Sequence, residues 1–100
     1  MTSREDVLRT WWEQLGSAVG EVVNQSDPEG LLDMGAPQDE YSSEIDSLTS
    51  LAVREDLTER SVLAVWERAF GPGSCLSQRP ELLTSLTQQL LAVREERPSP

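Results

Sequence analysis

Apolar residues recur at three- and four-residue intervals through most of this chain, and no segment alternates apolar with polar residues or concentrates β-branched side chains. That spacing predicts helices and excludes a sheet. Leu8, Trp11, Trp12, Leu15, Val19, Val22 and Val23 draw one broad stripe over residues 4–23, with Ser3 placed to cap it and Glu5 and Asp6 in its first turn. Gly16 and Gly20 interrupt this helix and mark either a bend or a close approach by another helix. A second helix is expected from Gln38 or Asp39 to about Leu51, with Tyr41, Ile45, Leu48 and Leu51 or Ala52 inward. Its serines and threonines make it intrinsically weak. The third begins at a Thr58 cap, carries Val62, Leu63, Val65, Trp66, Ala69 and Phe70, and stops at Gly71-Pro72-Gly73. Residues 74–78 read as a flexible link. Pro80 then starts a fourth helix, lined by Leu82, Leu83, Leu86, Leu90, Leu91 and Val93, that runs to about Glu95. The expected fold is all-α: one compact domain over residues 1–96, a bundle of four helices with the second short, and a disordered tail at 97–100.

The segment between the first two helices is the least ordinary part. Asp27-Pro28-Glu29-Gly30 and Gly35-Ala36-Pro37 are turn signals flanking a short apolar stretch, Leu31 to Met34, expected to form one turn beneath the loop. Asp27, Glu29, Asp33, Asp39, Glu40, Glu44 and Asp46 crowd carboxylates into and just beyond this stretch. Of the chain's net charge of −10, residues 1–50 carry eleven acidic groups and two arginines, a net of −9. A field of that sign repels nucleic-acid phosphates and anionic membranes and attracts a basic partner or a cation.

Chemistry is narrowed by what is missing. The 100 residues include no histidine and no lysine, which removes the usual neutral-pH general base, the usual transition-metal ligand and the Schiff-base amine. Cys75 is a single cysteine, so no intrachain disulfide forms, and without histidine no Cys–His pair exists. The acidic cluster does not follow calcium-loop spacing, because Leu31 occupies the alternate position after Asp27 and Glu29. No catalytic, cofactor or metal residues are therefore assigned. Absence of a long apolar run and of a basic-then-apolar leader sets the expectation of a cytoplasmic protein.

Trp11 and Trp12 point about 100° apart on a helix, so one is expected in the core with Trp66 and the other at the margin, covered by the 24–37 loop or exposed. An exposed tryptophan beside carboxylates suits a protein interface. The expected contact residues are Trp11, Trp12, Asp27, Glu29, Asp33, Asp39, Glu40, Tyr41 and Glu44, meeting a protein with a basic surface. A carboxylate-based divalent-cation site or small enzyme is the alternative, and pairing of two copies through the glycine-bearing helix is a third reading.

The blocks Asp27-Pro28-x-Gly30-Leu31 and Gly35-Ala36-Pro37-x-Asp39-Glu40-Tyr41-x-x-Glu44-Ile45, with Trp66-x-x-x-Phe70-Gly71 further on, resemble the YugE-like family of small bacterial all-helical proteins of unknown function. The resemblance covers residues 22–71. It implies a compact helical domain with the motif as a structured inter-helix loop, and it brings no active site. The resemblance also implies an association, in some settings, with bacterial toxin or interbacterial competition genes, and hence an immunity role. Glu29, Leu32 and Ser42-Ser43 depart from the family's pattern.

Overall fold

The computed structural model describes residues 3–98 and 100 of the chain. Five helices follow in order: α1 (Arg4–Ser26), α2 (Ser42–Val53), α3 (Glu59–Phe70), α4 (Cys75–Gln78) and α5 (Pro80–Glu96), with no strand among the described residues. The all-α bundle is as the spacing demands. Ser3 caps α1, its hydroxyl accepting the Asp6 N–H at 3.1 Å. Thr58 and Ser61 exchange side-chain and backbone bonds at the start of α3 as a capping box. Gly71, at φ 85°, ends that helix where a β-carbon would be strained.

Burial gathers around Trp66. Its ring lies 5.8 Å from that of Tyr41 and 5.6 Å from that of Phe70, and Tyr41 meets Phe70 edge-on at 6.3 Å. Leu15, Val19 and Val23 of α1, Leu48 and Ala52 of α2, and Leu86 and Leu90 of α5 close over this cluster with no exposed surface.

Several expectations need correction. The second helix begins at Ser42, later than Asp39, because residues 37–41 are spent in turns that bond Glu40 N–H to the Pro37 carbonyl and Ser42 N–H to the Asp39 carbonyl. Residues 74–78 are not a flexible link. Ser74 caps the single turn of α4, and Leu76 is driven into the core at 1% exposure. The glycines of α1 serve the chain itself: a β-carbon at Gly16 would lie 3.7 Å from Thr49, and one at Gly20 would lie 3.6 Å from Ile45. The face they open is occupied by α2 of the same chain.

The same contacts set the register of α1 against α2. Gly16 opposite Thr49 and Gly20 opposite Ile45 make α1 and α2 antiparallel, so that Trp12 is level with Val53, the last residue of α2. Arg94 ties this end together. Its guanidinium donates to the Ala52 carbonyl at 3.0 Å and to Glu55 at 3.3 Å, and lies 5.2 Å from the Trp11 ring centre. Trp11 in turn donates its indole N–H to the Arg97 carbonyl at 2.9 Å. That carbonyl is the first of the 97–100 segment expected to be disordered; Ser99 of that segment lies outside the described residues.

A β-carbon at Gly16 or Gly20 would stand at ordinary contact distance, so alanine fits at both. Gly16→Ala and Gly20→Ala are each expected to stabilise the fold by up to about 1 kcal/mol through helix propensity, measured by denaturant unfolding. A bulky residue at either place would push α2 away and destabilise.

Candidate functional site

The candidate site is the elbow between α1 and α2, residues 27–41, and Asp27 organises it. At φ 43° and ψ 59° Asp27 takes the left-handed conformation that stops α1, with its own N–H on the Val23 carbonyl at 2.8 Å. This turn brings its carboxylate back over the following residues. One oxygen accepts the Leu32 N–H at 3.0 Å and the Tyr41 hydroxyl at 2.7 Å, and the other accepts the Asp33 N–H at 2.9 Å. The Tyr41 oxygen also accepts the Glu29 N–H at 3.1 Å. Loop backbone that would otherwise lack partners is thereby satisfied from within. Pro28 is buried, Leu31 and Leu32 pack on the core as a hydrogen-bonded turn, and the Glu29 carboxylate reaches Cys75, accepting its backbone N–H at 3.2 and 3.3 Å.

Titration follows from these contacts. Partial burial pushes the Asp27 carboxyl up, but hydrogen bonds from Tyr41 and from the Leu32, Asp33 and Leu31 backbone outweigh it and hold the carboxyl below its ordinary value. Tyr41 moves the other way, to about 12, first because it is desolvated and then because it donates to Asp27. The Glu29 carboxylate pushes the Cys75 thiol up, with burial adding to it. A thiol so placed is a poor nucleophile.

The residues singled out by sequence divide sharply. Tyr41 has no exposed surface, and Glu44 is only 9% exposed, so neither is available as a contact. Tyr41 is the hydrophobic floor of the elbow; Glu44 is turned inward on the first turn of α2, with one carboxylate oxygen unpartnered. Asp27 and Glu29 spend their carboxylates inside the fold. Trp11 is half-buried against Arg94 and the Arg97 carbonyl. Tyr41 and Glu44 are therefore corrected from partner contacts to buried structural residues, while Asp27, Glu29 and Trp11 are half-buried with their polar groups engaged inside the fold. Trp12, Asp33, Asp39 and Glu40 remain exposed.

Trp12 does not belong with the acids, however. It precedes Asp27 by 15 residues on one helix, about 22 Å along the axis, and the 24–37 loop covers neither tryptophan. Trp12 walls an open groove of about 490 Å³ beside Leu51, Val53 and Val65, whose charged lining residues are Arg54 and Arg68 with no carboxylate. The apolar group that does accompany the acids is Met34, which sequence reasoning counted with the buried turn. It is 73% exposed, the most exposed large apolar side chain described. No periodic signal could have assigned its direction, since one isolated turn has no second turn to define a face.

Among the described residues, no three acidic or thiol side chains converge as a set that could hold a metal ion, and no helix is long and apolar enough to cross a membrane. The chain matches no family model, no curated protein and no solved structure.

Tyr41 is the single tyrosine, so phenolate absorbance reads it directly. Its midpoint is expected near 12 and should fall only part of the way toward 10 in Asp27→Asn, which loses the carboxylate but keeps the burial that is the larger cause. Because the folded value is raised, the stability linked to Tyr41 is complete below pH 10 and disappears as pH rises through about 12. Asp27 gives the opposite sign: its contribution is present above the ordinary carboxylate value of 3.8 and is lost as pH falls through the lowered one. Tyr41→Phe should cost about 1–2 kcal/mol at neutral pH, because it strands the Glu29 N–H as well as removing a donor. Glu29→Gln should speed the reaction of Cys75 with a thiol reagent at mildly alkaline pH, by releasing the upward push on the thiol.

Proposed function

We propose that this chain is a non-enzymatic interaction module whose acidic elbow docks onto a basic surface of another protein, in a regulatory, accessory or immunity-type role. What supports the reading is the exposure of Met34 together with Asp33, Asp39 and Glu40 on a loop whose backbone is pinned from behind by Asp27 and Tyr41. A loop already held in one shape loses little conformational freedom on binding. The exposed methionine is an adaptable apolar anchor. The carboxylates around it, backed by the net −9 of residues 1–50, supply steering toward a cationic partner. A nucleic-acid-binding face, masked by this elbow, is the kind of surface that fits. The kinship suggested by the YugE-like blocks, which include Asp27, Asp39, Glu40 and Tyr41 but neither Asp33 nor Met34, is part of this proposal.

The probe is an arginine-rich helical peptide titrated into the isotope-labelled protein at low and moderate salt. Amide shifts are expected to concentrate over residues 33–40, to weaken as salt rises, and to vanish in Asp33→Asn/Asp39→Asn/Glu40→Gln. Met34→Ser should reduce affinity without changing the salt dependence. Shifts spread evenly over Glu13, Glu21 and the other surface acids, or binding undiminished in the triple variant, would reject the elbow as the docking surface.

A further inference from the structure

The apolar stripe of α1 runs off the end of its own bundle. Leu8 is in helical line with Leu15 and Val19, both fully buried, yet Leu8 is 39% exposed. The cause is the register of α1 in the bundle: α2 ends level with Trp12, and the Arg94 clasp at the end of α5 sits against Trp11. Every residue from Ser3 to Thr10 is exposed. Among the described residues, 3–10 therefore project beyond α2 and α5 by about 12 Å, with Val7 at 39% and Trp12 at 41% exposure flanking Leu8 on an unpartnered helix face.

We infer that this overhang pairs with the same overhang of a second copy, antiparallel, about a two-fold axis at Val7. Val7 lies midway between Glu5 and Arg9 on the overhang, which places the axis there. Charge favours this occupant in two ways. The chain carries −10 and repels its own copies, but residues 3–11 hold Arg4, Glu5, Asp6 and Arg9 and are neutral, while the acidic elbows lie at the far end of α1. Glu5 and Arg9 also sit one turn apart beside the stripe, and neither forms an ion pair among the described residues. The two-fold axis at Val7 sets Glu5 level with the second copy's Arg9 and Arg9 level with its Glu5, the reciprocity that an isologous contact requires. The paired surface is small, so the dimer forms reversibly and in proportion to concentration.

Sedimentation equilibrium of the full chain over a wide concentration range tests this, with helix content by circular dichroism as the control for folding. The mass is expected to rise from one chain toward two, and Leu8→Glu, at an exposed position, should keep the protein folded and abolish the rise. Arg9→Glu should lower the dimer fraction, and Glu5→Arg/Arg9→Glu should restore it. A single-chain mass at every concentration overturns the inference and leaves the stripe to a foreign chain. Dimerisation undiminished in Leu8→Glu, or lost in the charge-exchanged double variant, overturns it as well.

Discussion

The hydrogen bond from the Tyr41 hydroxyl to the Asp27 carboxylate, 2.7 Å long, joins the residue that stops α1 to the residue that precedes α2. Both partners are committed elsewhere too. Asp27 holds the Leu32 and Asp33 amides, and the Tyr41 ring stacks into the Trp66 and Phe70 cluster. One contact thus fixes where the chain reverses, how α2 is set against α1, and which side of the elbow faces solvent. Its charged acceptor makes it stronger than a neutral pair, and it is sheltered on one face by the aromatic cluster. The outward side chains of the loop gain their definition from this inward bond.

Folding also redistributes the charge that composition reports. Seven carboxylates within residues 27–46 read as one acidic patch, but Asp27 and Glu29 are consumed by backbone amides and Glu44 is turned into the protein. What faces water on the elbow is Asp33, Asp39 and Glu40 with Met34. Further along α1 the sign inverts locally, where Arg54 and Arg68 flank the groove beside Trp12. At the free end of the helix the charges cancel. Three surfaces of different electrostatic character are therefore arranged along one 23-residue helix.

Much of the architecture was legible because it depends on local rules. Ser3, Thr58 and Pro80 mark helix starts through their own backbone chemistry, Gly71 marks a stop through its positive φ, and the leucine spacing of α5 assigns Leu83, Leu86 and Leu90 to its inner face, whereas Leu91, expected beside them, stands 42% exposed. Residues 74–78 were misread for the opposite reason. Their polarity suggests a link, while the burial of Leu76 depends on space left between α3 and α5 that no local pattern encodes. Leu8 failed in the same sense: its spacing matches Leu15, but burial needs a neighbouring helix to be present at that height.

By itself the sequence determined that the chain is helical, where most of its helices begin and end, that the segment around Asp27 turns, and that histidine, lysine and an intrachain disulfide are absent. These follow from periodicity, capping and composition, which act over one or two turns of chain. Only the tertiary structure decided that Tyr41 is a strut and not a contact, that Met34 and not a tryptophan stands among the exposed acids, and that α1 outruns its partners. Each of those depends on the register between distant segments, which is set by the fit of Gly16 and Gly20 against α2 and by the grip of Asp27 on Tyr41. Register is a property of packed pairs, and no single helix carries it.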